Sequence, residues 1–352
     1  MSHAAADRYA WTEPKVEDLG GGVHRIPLPL PLDGLKAVNV YAITDPGGVD
    51  LIDAGMALVT ARERLTEGLR QLGCELGDVR NFFVTHIHID HYSLAVELRR
   101  EFRSLISLGE DERANMIATR EMINGTSGHR VFGAENLRRL GASELISSLS
   151  ELERHGPMFA DWEDPDRWVA DGTDLDLRTR TLRAVHTPGH TRGHVIYHDA
   201  VSAVIFAGDH VLPHITPSIG FEPAGNRMAL RDYLSSLART LTLPDARLFP
   251  AHGPVTGSTH ERVNELLAHH DLRLADTWQA VQSGCATAYQ AARAIKWTRH
   301  LRRFAELDTM SQFMAVSETS AHLEVLAARG ELTRHSSDEG VDLYQLAPPA
   351  VG

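Results

Sequence analysis

Residues 86–91, His-Ile-His-Ile-Asp-His, restrict the folds open to this chain more than any other stretch. The run Asn81–Thr85 ahead of them reads as an apolar β-strand, and a helix is expected near Ser93–Arg103, which places the motif in the loop between the two. Alternate residues of an extended segment share a side, so His86 and His88 can share a metal ion. Asp90 and His91 then come round the turn to face a second ion about 3.5 to 4 Å away, the separation found in two-metal sites. A His-rich surface loop is the bland alternative, and the downstream residues argue against it.

Those residues come in order. His190 lies in Thr187-Pro188-Gly189-His190-Thr191, Asp209 in Phe206-Ala207-Gly208-Asp209-His210, and His252 in Phe249-Pro250-Ala251-His252-Gly253. Each follows a β-type run and occupies a turn, as expected of loops that converge at one edge of a sheet. Together they supply two three-ligand sets and one carboxylate able to bridge them.

The scaffold reads as layered α/β. Gly22–Leu28, Ala37–Thr44 and Val49–Asp53 are expected strands, and Thr60–Leu72 an amphipathic helix stopped at Gly73. Leu182–Ala251 is strand-rich. Between these halves, residues 111 to about 170 read as a helical insertion carrying Met116, Ile117, Met122, Ile123, Met158, Phe159, Trp162 and Trp168. Such an insertion is a lid or substrate wall, or else core packing or a dimer contact.

After Gly257 the character changes. Thr259–Gln282, Ala286–Lys296 and Ser311–Arg329 are expected helices, followed by a hairpin of Leu332–His335 and Val341–Leu346, the outline of a winged helix. The division is an N-terminal extension over residues 1–17, a catalytic domain over 18–257 and a winged-helix-like domain over 258–352.

Composition bounds the partners. Histidine, the commonest metal ligand, occurs 20 times in 352 residues. The formal charge of −12 disfavours nucleic acid, whose binding needs many Lys and Arg against phosphates. Two cysteines, Cys74 and Cys285, in no CxxC pair suit a reducing cytoplasm. No signal peptide is read in the first residues, and no apolar run approaches the roughly 18 residues a membrane span needs.

The motif set resembles that of the metallo-β-lactamase-fold superfamily: HxHxDH, then a His, an Asp and a final His, over about residues 18–257. The resemblance implies an αβ/βα sandwich of two mixed sheets with the metals at one edge. By that match His86, His88 and His190 hold the first metal, and Asp90, His91 and His252 the second. Asp209 bridges them, and Asp53 in Leu51-Ile52-Asp53-Ala54-Gly55 orients the site. His194 is a further candidate for support or substrate contact, whereas His210 and His214 read as ordinary loop residues. His269, His270, His300, His322 and His335 read as surface residues. Ligation by His and Asp alone suits zinc, with iron and manganese also open.

The superfamily's substrates are diverse, so the fold leaves the reaction open. Asp209 stands where zinc β-lactamases of the first subclass carry Cys, which argues against a β-lactam substrate. Ala315–Leu326 with the hairpin, and Gly208–Pro217, resemble the branch containing β-lactamase-like protein 2 and glyoxalase II-like hydrolases. The expectation is a cytoplasmic binuclear hydrolase using a metal-bridging hydroxide on an ester, thioester or lactone bond of a small organic or acyl substrate, with Asp90 relaying the proton. A homodimer is left open. A single-strand endoribonuclease is the alternative, its basic path being Arg293, Lys296, Arg299, His300, Arg302 and Arg303 on one helix-like stretch. A non-enzymatic alternative is a metal-responsive regulator binding DNA through the winged helix, against which stands the acidic wing of Asp338, Glu339 and Asp342.

Overall fold

A computed structural model describes residues 9–31, 35–123, 133–155, 162–298 and 300–348. Its first sheet has seven strands in chain order: β1 (Glu17–Gly20), β2 (Val23–Pro29), β3 (Ala37–Asp45), β4 (Gly48–Ile52), β5 (Val79–Phe83), β6 (Leu105–Gly109) and β7 (Arg167–Val169). The first four pair antiparallel, and β4 to β7 pair parallel. The second sheet runs in the order β12-β11-β10-β9-β8, built from β8 (Asp174–Asp176), β9 (Thr181–His186), β10 (Val195–Asp199), β11 (Val204–Gly208) and β12 (Arg247–Pro250).

The strands alternate two apolar faces, because successive side chains point to opposite sides. In β3, Tyr41 and Ile43 face the second sheet, while Val38, Val40 and Ala42 face helices; in β11, Val204 and Phe206 face inward, while Ile205 and Ala207 face the other helical layer. Tyr41, Phe206 and Phe249 meet between the sheets with ring centroids 5.2 to 5.4 Å apart. Helices α1 (Val59–Gln71) and α2 (Ile89–Phe102) cover the first sheet. Ala61, Leu65 and Leu69 recur at helical spacing on the buried face of α1, and Leu94, Ala95 and Leu98 do so in α2. The result is the expected αβ/βα sandwich.

The second sheet is covered by α6 (Ala229–Thr240), α7 (Thr259–Gln282), α8 (Ala288–Ala294) and α9 (Thr309–Ala328), and the hairpin β13 (Leu332–Ser336) with β14 (Asp342–Leu346) follows. Helix α9 lacks an amphipathic stripe because it is enclosed: Val316 and Leu323 are fully buried, and Ser317, Thr319, Ser320, His322 and Glu324 are buried too. One apolar core runs from Ile196, Ile205 and Leu248 of the sheet to Val263, Leu266, Val316 and Tyr344.

Several expectations change. Within 111–170 lie α3 (Arg113–Ile123), α4 (Ala134–Arg139) and α5 (Ile146–His155), but also β7, so Trp168 belongs to the sheet. Leu137, Leu140 and Leu149 are buried in the core shared with the C-terminal helices, and Met116 is buried under the first sheet's helical layer. Ile117 and Ile123 are exposed, and Met158 and Phe159 lie outside the described residues. The basic stretch is not one helical face: α8 ends at Ala294, and Trp297 then pairs with Arg302 in an isolated bridge. Arg299 lies outside the described residues. His270 and His322 are buried rather than exposed, because α7 and α9 pack against each other there.

Candidate metal centre

The carboxyl ends of β4, β5, β11 and β12 lie at one edge of the sandwich. Asp53 follows β4, Thr85 to His88 follow β5, Asp209 follows β11 and His252 follows β12. His190 and His194 come from the β9 to β10 connection. Helix α2 begins at Ile89, earlier than its apolar spacing suggests, so Asp90 and His91 sit in its first turn. His88 occupies the N-cap position without a side-chain cap; its Nδ1 instead stands 2.9 Å from His190 Nε2.

The structure brings all seven expected ligands together. His86, His88 and His190 each place one ligand atom within 4.8 Å of the others, and so do Asp90, His91 and His252. Asp209 lies between these groups. Its Oδ2 is 3.4 Å from His190 Nε2, while its Oδ1 is 3.4 Å from His252 Nε2 and 3.7 Å from His91 Nε2.

The partners of the opposite ring nitrogens set which atom faces the centre. His252 Nδ1 donates to the carbonyl of Ala37 at 2.7 Å, and His190 Nδ1 to that of Ser218 at 2.8 Å. His91 Nδ1 donates to Asp53 at 2.9 Å. Thr85 Oγ1 donates to Asp53 and so accepts from His86 Nδ1 at 3.1 Å. Each ring therefore turns an Nε2 lone pair inward, as a metal ligand must. The Nε2 atoms of His86, His91 and His252 and the Oδ1 of Asp209 are buried and have no hydrogen-bond partner. Such orphaned acceptors are costly unless a cation satisfies them, so the donor set fits a metal.

Electrostatics distinguish the two halves of the site. Burial and the neighbouring imidazoles hold His86 and His190 well below the usual histidine range, in the neutral form that ligates. Burial opposes a charge on His91, but Asp53, Asp90 and Asp209 outweigh it and push its pKa up to about 10. Burial alone would raise Asp90, yet His91 and His252 draw it well below the carboxylate range. Three carboxylates concentrated on one point make a field that favours cations.

His194 is fully buried, and its Nε2 accepts from the backbone N–H of Asp209 at 3.2 Å while Nδ1 meets Thr187 Oγ1 at 2.9 Å. It fixes the turn that carries Asp209. Gly208, at φ +51°, leaves room for this ring, since a Cβ there would lie 2.7 Å from His194 Nε2. His210 is also buried and bonds Thr240 at 3.0 Å, facing away from the ligand set.

Glu112 went unread in the sequence, because the acidic run Glu110-Asp111-Glu112 has the composition of a solvated turn. It is fully buried, and burial raises its pKa to about 7. Its carboxylate accepts from Thr191 Oγ1, from Asn115 Nδ2 at 2.7 Å and from the Ile87 N–H at 3.4 Å.

A sequence profile of the Metallo-beta-lactamase superfamily matches residues 33–252. The Probable metallo-hydrolase YqjP of Bacillus subtilis is 24% identical over 315 residues, covering 88% of this chain and 93% of that protein. The Beta-lactamase-like protein 2 homolog of Caenorhabditis elegans is 33% identical over 102 residues, which is 29% of this chain and 32% of that one. Among solved structures, the metallo-beta-lactamase family protein TTHA1429 of Thermus thermophilus superposes with a TM-score of 0.76 at 26% identity over 94% of this chain and all of that one. A Beta-lactamase domain protein of Burkholderia ambifaria gives 0.77 at 25% identity over 95% of each chain.

Proposed function

Because the chain belongs to the metallo-β-lactamase superfamily, we propose that it is a hydrolase with a two-ion centre that cleaves an ester, thioester or lactone bond of a small organic or acyl substrate. The observation that carries this reading is the convergence of orphaned Nε2 atoms from His86, His91 and His252 on Asp209. His86, His88 and His190 would hold one ion, Asp90, His91 and His252 the other, with Asp209 shared. Divalent ions held there, zinc first and iron or manganese with the same donors, would supply Lewis acidity toward a water and a substrate carbonyl.

The chain's own residues do the rest. Asp90, beside His91 and His252 at 3.6 and 3.4 Å, takes the proton released on attack and passes it toward the leaving group. Asp53 and the Ala37 and Ser218 carbonyls hold His91, His252 and His190 in the ligating tautomer. The Phe221 ring, 6.1 Å from His88 and 5.5 Å from Phe313, offers an apolar wall beside the ions.

A small acyl substrate is favoured over RNA. The net charge is −12, and Arg273 and Arg293 lie over the rings of Trp297 and Tyr289. The test is metal content together with a panel of acyl-CoA, lactoylglutathione, lactones, β-lactams and single-stranded RNA, run on wild type and His88→Ala. We expect ester or thioester turnover in the wild type and its loss, by at least about a hundredfold, in the variant. Turnover untouched by the substitution would sink the mechanism, and RNA cleavage without ester hydrolysis would replace the substrate class.

A further inference from the structure

We propose that Glu112 is a positioning residue for one half of the metal centre: it braces the backbone beside His86, His88 and His190 and, among the described residues, hydrogen-bonds no residue next in sequence to Asp90, His91 or His252. The inference rests on the two-ion reading above. Ile87, whose N–H Glu112 accepts, stands between His86 and His88, and Thr191, whose hydroxyl it accepts, follows His190. Two ligand loops that meet only in the folded chain are thus tied to one carboxylate.

A third tie runs through Asn115. Its amide nitrogen donates to Glu112 at 2.7 Å and to Glu222 at 2.8 Å, and Glu222 also accepts the Arg192 N–H at 2.9 Å. The loop bearing Glu222 carries Ser218, the carbonyl that orients His190. Gly193 passes so close that a Cβ there would lie 2.2 Å from the Glu112 backbone nitrogen. Among the described residues the three partners of the Glu112 side chain can each donate to it, so the ionised carboxylate, which only accepts, satisfies all three at once. A glutamine of the same size would turn its NH2 toward one of those donors, and Thr191→Val removes one tie at nearly constant shape.

The test is a Co2+ titration of the chelator-stripped full-length chain, followed by visible absorption and competition with a chelator. His88→Ala and His252→Ala identify which signal belongs to which half. We expect two equivalents in the wild type. In Glu112→Gln the ion on the three-histidine half should weaken by about 10 to 100-fold, the range for lost ligand-orienting bonds, while the other stays within about twofold. Thr191→Val should shift the same ion in the same direction by less. A purely structural role would loosen both ions together. Equal loosening of both, or wild-type retention of both, in folded Glu112→Gln overturns the brace; if that variant does not fold, the same two results in Thr191→Val do so. Fewer than two equivalents in the wild type overturns the two-ion reading, and the brace with it, before any variant is made.

Discussion

Asp53 shows how much of the centre depends on atoms that never reach the ligand position. Its backbone is left-handed at φ +59°, a conformation that Asp and Asn accept more readily than most residues. Its carboxylate takes the Thr85 N–H at 2.8 Å and the Nδ1–H of His91 at 2.9 Å. An asparagine would keep the backbone and the Thr85 bond, but would present its NH2 to His91 Nδ1. That ring would then carry its proton on Nε2, the atom aimed at the centre. Asp53→Asn should therefore weaken metal binding by about 10 to 100-fold with little change in metal-free melting temperature. Competition against a chelator measures the first and a thermal scan the second; an Asp53→Asn chain that binds zinc like the wild type would show that the tautomer is not controlled from here. The seven ligand-type residues were legible in sequence because four of them crowd into residues 86–91 and the others sit in turns after apolar runs. Glu112 was not, since its burial follows from β6 delivering it between two loops distant in sequence.

At the level of elements, periodicity located α7 over Thr259–Gln282 and most strands to within about two residues, because each has one apolar face to bury. It also placed the enclosed helix α9 to within about two residues, but it misjudged exposure where polar character stood in for a solvated face, as for His270 and His322 at the contact of α7 and α9. There His322 Nδ1 donates to the Glu318 carbonyl at 2.8 Å, so its Nε2 accepts from His270 Nδ1 at 3.2 Å. His269, Arg273 and Glu318 face the pair, and the Tyr233 ring packs on His270 at 5.5 Å. Burial first, and His322 itself second, push the His270 pKa down to about 2; burial pushes that of His322 down to about 3. In the unfolded chain both titrate near 6.5. Between pH 6.5 and 3 the unfolded state therefore binds protons that the native state refuses, and stability falls as pH falls through that window. From pH 7.5 to 5 the loss should be about 2 kcal/mol for each imidazole treated alone. Urea unfolding at the two pH values, compared between wild type and His270→Leu/His322→Leu, reads the difference; a double variant that keeps the full wild-type pH slope would place the acid sensitivity elsewhere.

For the whole molecule, the change of sequence character after Gly257 and the continuity of the core point in different directions. Ile196, Ile205 and Leu248 on the outer face of the second sheet are fully buried, and they share one cluster with Val263, Leu266, Val316 and Leu323. Leu137 and Leu140 of the insertion join the same cluster, so three stretches far apart in sequence bury one surface. Removing residues 258–352 would expose that face, and large exposed apolar patches drive association or loss of fixed packing. The full chain should accordingly unfold in one transition, with tryptophan fluorescence and far-UV circular dichroism coincident in denaturant. The probes are well spread for this purpose: Trp162 and Trp168 pack on the first sheet's core, Trp278 and Trp297 on the C-terminal one. The truncated chain 1–257 should be insoluble, or soluble only with strong binding of an apolar dye and no near-ultraviolet dichroism. A truncated chain that unfolds cooperatively and still takes up metal would mean that the second sheet can close its outer face without α7, α8 and α9. The metal edge would then depend on the sandwich alone, because Ala37, Ser218 and Asp53, the groups that orient its histidines, all precede residue 258.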